Sequence, residues 1–229
     1  MATELLWNGV TLETPAGEFP LGADSMLLAD FARVKKGAAV CDLGCGCGAL
    51  ALMLLANDPT CAVTGIELKK RAADTARKNA ENNGLPFRVI EGDLREVRKL
   101  LPAGRFDCAV SNPPYHPEGH DPARAELCCT PEELCAAAAW LIKTGGRFSV
   151  VYRAERLADL ICAMREAGLE PKRLQFIRHR PGQKRSLFLL EAVRCGKPGL
   201  ALAEDLILYR ADGRETAACR RAYHREEVT

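Results

Sequence analysis

Hydrophobic and polar positions along this chain switch repeatedly between two periods. Residues 39–43, 61–67, 86–91, 106–111 and 147–152 are short apolar runs rich in Val, Ile, Phe and Cys, as expected of strands buried on both faces. Between them, apolar positions recur three and four apart over 48–57, 69–83, 94–101 and 154–167, which predicts helices. A further helix opens at Thr130-Pro131-Glu132-Glu133, a capping residue followed by Pro in the first turn, and stops at 143–146. Regular alternation of this kind makes an α/β sheet of mostly parallel strands with helices on both faces. Two more strands, 172–179 and 186–193, follow without a helix between them and turn at Pro181-Gly182, which brings the count to seven. Ahead of the first sheet strand, 5–12 reads as a hairpin around Asn8-Gly9, and 23–34 as an amphipathic helix with Met26, Leu27 and Phe31 on one side.

The expected organisation is an N-terminal hairpin and helix over 1–38 packed on the core, a sheet domain over 39–195, and a C-terminal extension of that domain over 196–229. At 229 residues with 48% hydrophobic content, the chain has enough apolar material for one substantial core. No apolar run approaches the roughly 18 to 20 residues of a membrane span, and the first ten residues lack the basic and apolar blocks of a secretory signal, so a cytoplasmic protein is expected. Eleven cysteines raise the question of a metal, but they form no paired CxxC and the four histidines do not cluster; none is expected. Cys41, Cys61 and Cys108 fall in predicted strands, where a small buried thiol is ordinary, while Cys45 and Cys47 lie near a helix start that could activate them or simply flank a ligand.

Chemistry concentrates where strands end. The run 40–50, VCDLGCGCGAL, takes an apolar strand through Gly44, Gly46 and Gly48 into an alanine-rich helix, so backbone approaches a ligand closely and a helix N-terminus offers unpaired N–H groups to an anion. Gly44, Gly46 and Ala49, with Glu67 downstream, also satisfy a dinucleotide fingerprint. Asp42 weighs against that reading, because a carboxylate repels a pyrophosphate but accepts from an ammonium; an amino-acid tail suits Asp plus helix N-terminus better. Glu67 ends the next strand, where an ionised carboxylate would accept both hydroxyls of a ribose; its alternative is a charge at a helix start. At the next strand end, Asp93 precedes Leu94 and would in any case cap the following helix. Finally, the strand ending near Ser111 runs into Asn112-Pro113-Pro114-Tyr115. A side-chain amide, a carbonyl held by two stiff prolines and an aromatic face together suit a planar amino group.

The ordered series DLGCGCG, Glu67 in GIEL, Asp93 in EGDLRE and NPPY resembles class I S-adenosylmethionine-dependent methyltransferases that act on amino nitrogens. The resemblance implies a Rossmann-like seven-stranded methyltransferase sheet with its last strand antiparallel, and S-adenosyl-L-methionine held by Asp42, Gly44, Gly46, Gly48, Glu67, Asp93, Leu94 and Asn112. Asp93 would then accept from the adenine amino group, with Leu94 stacking or offering its N–H. Asn112 and the Pro113 carbonyl would draw the target's hydrogens out of plane, Pro114 would fix the turn, and Tyr115 would stack on the target. Adenine N6, guanine N2 and a glutamine side-chain amide all present such a nitrogen.

Residues 171–186 hold Lys172, Arg173, Arg178, Arg180, Lys184 and Arg185 with His179 and no acid, although net charge is only +2. Arg178, Arg180, Lys184 and Arg185 are candidates to grip phosphates, against the alternative of a solvated hairpin edge. A second cluster, Arg210, Arg214, Arg220, Arg221 and Arg225, is diluted by acids. LGADSMLL ahead of the glycine loop, NPPY, and VYRAERL with EPKR after it resemble the tRNA(Val) adenine-N6 methyltransferase family. That implies an RNA substrate, tRNA near the anticodon, with adenine N6 as acceptor. The alternatives are a methyltransferase acting on guanine N2 of rRNA or on a glutamine amide of a translation factor, a catalytically silent sensor or scaffold that binds the cofactor, and a nicotinamide oxidoreductase, which leaves NPPY unexplained.

Overall fold

Residues 2–16, 21–113 and 129–224 are described by the computed structural model. The chain opens with β1 (Ala2–Leu5) and β2 (Thr11–Thr14), then α1 (Ala23–Phe31), β3 (Ala39–Leu43), α2 (Ala49–Asn57), β4 (Ala62–Glu67), α3 (Lys70–Asn83) and β5 (Phe87–Glu91). It continues with α4 (Val97–Leu100), β6 (Phe106–Ser111), α5 (Pro131–Leu141), β7 (Ile142–Arg153), α6 (Leu157–Glu166), β8 (Leu169–Arg178) and β9 (Leu187–Arg194), and ends with β10 (Ala201–Leu202), β11 (Leu206–Ile207) and α7 (Ala217–Ala222).

Seven strands in the order β8-β9-β7-β6-β3-β4-β5 form the body of one sheet. β9 is antiparallel to both neighbours, and every other pairing in that sheet is parallel. The seven-strand alternation and the antiparallel last member of the set are therefore present. β10 and β11 add two short strands on the open edge of β8 that apolar period did not predict. Ala201 and Leu202 are exposed, so these residues pair because β8 offers free backbone groups, not because they have a face to bury.

β3 and β4 are apolar almost throughout because helices cover both sheet faces. α2 is buried along nearly its whole length, Leu50 through Ala56, since α1 and the N-terminal hairpin close over it. The turn between β1 and β2 holds Asn8 and Gly9 at positive φ, 56° and 76°. From that turn Asn8 Nδ2 donates to the Ala56 carbonyl at 2.7 Å, satisfying one free carbonyl at the C-terminal end of α2, and Trp7 Nε1 donates to the Asn57 side-chain oxygen at 2.7 Å.

Three local expectations shift. The helix expected over 94–101 is a 3-10 turn, Leu94–Glu96, and the single turn α4, because Leu101 is forced extended ahead of Pro102. The stop expected at 143–146 is instead the beginning of β7: α5 ends at Leu141, Lys143 reaches Asp107 at 2.6 Å, and Gly145 at φ 77° accompanies a register shift opposite β6. β8 starts three residues early and takes in Pro171, which is tolerated because β10 joins the other edge of β8 only from Arg173 onward.

Candidate functional site

Asn112, Asp42 with Gly44, Glu67 and Asp93 lie at or just past the carboxyl ends of β6, β3, β4 and β5, four neighbouring parallel strands. Strand spacing places them in a row of three steps, roughly 14 Å long. The fold thus gathers, along one edge of the sheet, five residues spread across the first half of the chain.

The glycine loop is pinned from below and open above. Gly44 and Cys45 donate to the Ile66 carbonyl at 2.9 and 3.1 Å, and Gly46 donates to Glu67 Oε2 at 2.9 Å. Gly44 and Gly46 sit at φ 73° and 55°, and a Cβ on either would meet nothing within 4 Å, so both face the free space above the strand ends. Gly48 differs: at φ 90°, its Cβ would come 2.8 Å from the Phe87 ring, so it lets α2 close onto β5. Gly65, which sequence reasoning passed over, makes room for Cys45, whose Sγ would lie 2.5 Å from an added Cβ.

Asp42 is 1% exposed, and its Oδ2 has no hydrogen-bond donor among the described residues. Burial raises its pKa to about 7; the Ala51 N–H in the first turn of α2 pulls it down, and neighbouring Glu67 pushes it up. A buried carboxylate short of a donor, under a glycine loop whose outer side is open, fits an ammonium-bearing ligand. Each oxygen of Glu67 accepts one backbone N–H, from Gly46 and from Lys69, both at 2.9 Å. A carboxylate accepts about four hydrogen bonds, so Glu67 shapes the loop and still has capacity for a pair of hydroxyls. Burial, with Asp42 and Glu67 nearby, holds the Cys45 thiol well above its ordinary value, which removes the activated-thiol reading for that residue.

Asp93 caps the 3-10 turn through the Arg95 N–H at 2.9 Å and also takes the Arg95 guanidinium in a two-oxygen pair. Arg95, above all through its hydrogen bond, holds the Asp93 carboxyl below its usual range. The capping role is therefore realised, and any ligand donor at Asp93 competes with Arg95. Leu94, in that turn, is half-buried.

The Ser111 hydroxyl donates to the Leu43 carbonyl at 2.8 Å, which ties the end of β6 to the residue preceding Gly44. Asn112 follows directly, and its Nδ2 donates to Ser25 Oγ on α1 at 2.9 Å. That bond uses a donor and leaves the amide oxygen as an acceptor. Asn112 and Pro113 are half-buried; Pro114 and Tyr115 lie outside the described residues.

Of the basic candidates, Arg178 and Arg185 both bond Asp205, Arg178 also donates to the Gln183 carbonyl at 2.7 Å, and Arg185 covers the Phe176 ring at 4.6 Å. They are partnered hairpin residues. Arg180 and Lys184 are exposed.

Asn79, 1% exposed on α3, was also not singled out from sequence. It accepts from Glu13 N at 2.9 Å and donates to Glu13 O at 3.0 Å and Cys47 O at 2.9 Å, so one amide splices β2 to the glycine loop. Asn83, one turn on, repeats the pairing with Thr11. The spacing of two asparagines four apart was the available signal.

Among the described residues, no helix is long and apolar enough to cross a membrane, and no group of three or more His, Cys, Asp or Glu side chains is placed to hold a metal ion.

Residues 20–166 match the methyltransferase small domain family. A tRNA1(Val) (adenine(37)-N6)-methyltransferase of Aeromonas hydrophila is 31% identical over 203 residues, 84% of each chain. One of Porphyromonas gingivalis is 31% identical over 186 residues, 75% of this chain and 73% of that protein. Among solved structures, a predicted O-methyltransferase from Agrobacterium tumefaciens superposes with TM-score 0.76 at 23% identity, covering 88% of this chain and 95% of that one. A Thermus thermophilus 16S rRNA N2 methyltransferase, solved with AdoMet and guanosine, gives TM-score 0.64 at 23% identity, covering 84% of this chain and 50% of that one.

Proposed function

The chain belongs to the methyltransferase small domain family, alongside the tRNA1(Val) (adenine(37)-N6)-methyltransferases, and on that premise we propose that it is an S-adenosylmethionine-dependent enzyme methylating an adenine N6 in RNA, namely tRNA near the anticodon. The observation that carries this reading is the order of groups along the sheet edge. An amide acceptor, a buried carboxylate under a glycine loop, a second carboxylate and a capping aspartate follow one another on β6, β3, β4 and β5. That is the order of target nitrogen, methionine tail, ribose and adenine in a transfer complex.

Asp42 and the first amides of α2 would hold the amino-acid tail, Gly44 and Gly46 would admit it against backbone, Glu67 would take the ribose hydroxyls, and Asp93 with Leu94 would receive the adenine. Gly48 supports that cradle by letting α2 pack against Phe87. When bound, S-adenosylmethionine supplies an electrophilic sulfonium methyl.

An exocyclic amino nitrogen is a poor nucleophile because its lone pair is delocalised into the ring. The Asn112 amide oxygen, oriented by the bond from Nδ2 to Ser25, and the Pro113 carbonyl are two acceptors that favour a more tetrahedral nitrogen and aim its lone pair. Asn112 and Pro113 are the catalytic residues this geometry supports; Pro114 and Tyr115, outside the described residues, are added from the NPPY resemblance alone, in which Pro114 would fix the turn and Tyr115 would act with them by stacking on the extruded base. An anticodon-loop base is already unpaired, so it enters without the cost of opening a duplex. A tRNA substrate also implies work in the cytoplasm.

The test is incubation with labelled S-adenosylmethionine and separate pools of tRNA, rRNA and protein, followed by digestion to nucleosides. N6-methyladenosine from tRNA is expected. Label confined to protein, or recovered as N2-methylguanosine, overturns the assignment.

A further inference from the structure

We infer that the 179–186 hairpin and the 210–214 turn form one phosphate-gripping surface that holds the RNA backbone flanking the target base. This rests on the RNA reading above and adds residues from a cluster that looked separate and weaker in sequence.

Topology puts both loops on the catalytic edge. β7 is parallel to β6, so it finishes at Arg153 on the edge where Asn112 lies. β9 is antiparallel and starts there at Leu187, paired with Arg153; β8 ends there, with Ile177 paired to Leu187. The residues joining them, 179–186, therefore project from that same edge and are all exposed. β11 runs parallel to β8, and its continuation stays beside the hairpin: Leu208 N donates to Arg178 O at 3.0 Å and Tyr209 N to His179 O at 2.9 Å. The chain then turns back at once, closed by Arg210 N to Arg214 O at 2.8 Å.

Charge sorts the cations into two groups. Asp205, with its side chain 17% exposed, takes both Arg178 and Arg185, so these two brace the hairpin. Arg180, Lys184 and Arg210 are exposed and have no carboxylate partner among the described residues. Arg214, 82% exposed, is only 3.9 Å from Asp212, whose carboxylate also accepts the Arg214 N–H. The rings of His179 and Tyr209, 4.7 Å apart, link the two loops and supply flat faces beside the cations. Cations interleaved with rings suit single-stranded RNA.

β8 lies three strand spacings from β6, roughly 14 Å, a span of about four nucleotides at a stacked rise of about 3.4 Å. A base seated at Asn112 thus leaves its neighbours' phosphates over this surface.

The experiment compares wild type with a variant carrying Arg180→Ser, Lys184→Ser, Arg210→Ser and Arg214→Ser. A control removes Arg33, Lys35 and Lys36, which precede β3 at the opposite edge. Affinity for an anticodon stem-loop is measured across salt, together with melting temperature, cofactor affinity and methyl transfer. Four lost contacts should lower the magnitude of the log–log salt slope by about 2.8. Affinity should fall about 10- to 100-fold at about 0.15 M salt, with KM for RNA rising and melting temperature held, whereas the control keeps the wild-type slope. A wild type that methylates RNA while the variant keeps its slope, or a control that loses as much as the variant, overturns this surface alone. A wild type that transfers label only to protein overturns it together with the RNA reading.

Discussion

Asp42 should give cofactor affinity a pH profile that no other group at the glycine loop supplies. Burial is the main cause that lifts its carboxyl from 3.8 to about 7, with repulsion from Glu67 adding to it and the Ala51 amide opposing it. An ammonium in the site needs the carboxylate ionised, so below that value binding must first release a proton. At pH 6 only about one-tenth of the carboxyl is ionised, so the apparent Kd for S-adenosylmethionine should be about sixfold weaker than at its optimum of about pH 7.4, where the carboxyl and the ligand amine are each about 70% in the binding form. Above about 7.8 the ligand's own α-amino group loses its proton, so affinity should peak in the narrow range between the two values. Titration calorimetry in two buffers of different ionisation enthalpy reads both the Kd and the proton released. Asp42→Asn should abolish the acid limb and weaken binding at the optimum. A Kd equal at pH 6 and about 7.4, or an acid limb that persists in Asp42→Asn, would refute the reasoning.

The same shift fixes a sign for stability. A carboxyl whose folded value is raised contributes stability that is complete below its unfolded value of 3.8 and is lost as pH rises through about 7. The full difference is roughly 4 kcal/mol by the conversion of about 1.4 kcal/mol for each pKa unit. Without cofactor, Asp42→Asn should therefore melt above wild type at about pH 8 and lose that advantage toward pH 5.

Four other substitutions separate holding from chemistry. Asn112→Ala should lower S-adenosylmethionine affinity by calorimetry far less than turnover, which should fall about 10²- to 10³-fold, as loss of one aimed polar group does elsewhere; an unchanged rate sinks its assignment. Asn79→Ala removes three hydrogen bonds at a buried position and strands the Cys47 carbonyl, so chemical denaturation should show a loss of roughly 3 kcal/mol, accompanied by weaker cofactor binding. Arg95→Ala frees Asp93 from its guanidinium partner and should tighten S-adenosylmethionine binding by about threefold, whereas Asp93→Ala should weaken it; unchanged affinity in Arg95→Ala removes the competition, and loss in both variants makes Arg95 a ligand contact instead.

What the sequence disclosed about the site was local, and what it hid was long-range. Glycines at 44, 46 and 48, Asp42 at a strand end and the proline turn after Ser111 announce themselves because each demands a backbone conformation or a charge that a plain strand would not carry. Ser25, Asn79 and Asp205 announce little: Ser25 stands in the LGADSMLL segment without a hint of its partner, Asn79 shows only its spacing from Asn83, and an aspartate at 205 is ordinary. Their effects arise from partners 87, 66 and 27 residues away in sequence. The fold shows the same division. Period predicted all seven main strands, but β10 and β11 depend on an open edge of β8 that no local pattern encodes, and Pro102 shortened α4 against its apolar spacing.

The reversal of β9 has a functional consequence that returns to Asp205. Antiparallel neighbours need only a short hairpin, whereas parallel ones need a crossover that carries the chain to the opposite edge. By running backwards between β7 and β8, β9 leaves the cationic 179–186 loop on the edge where Asn112 lies. Such a loop has to be held in place before its charges are useful, and Asp205 does this by bonding Arg178 and Arg185 from the segment just before β11. Two effects then oppose each other in Asp205→Asn. It frees two guanidiniums, which by charge alone would strengthen RNA binding and steepen the salt slope by about 1.4. It also breaks a partly buried three-group network, at a cost of about 1 to 3 kcal/mol in stability, and unfastens the loop. Geometry should win, because loose cations pay the ordering entropy on binding that fixed ones do not. The variant should therefore bind an anticodon stem-loop more weakly than wild type at every salt concentration despite its higher positive charge. Tighter binding with a steeper slope would mean that net charge alone, and not the braced hairpin, draws RNA to this edge.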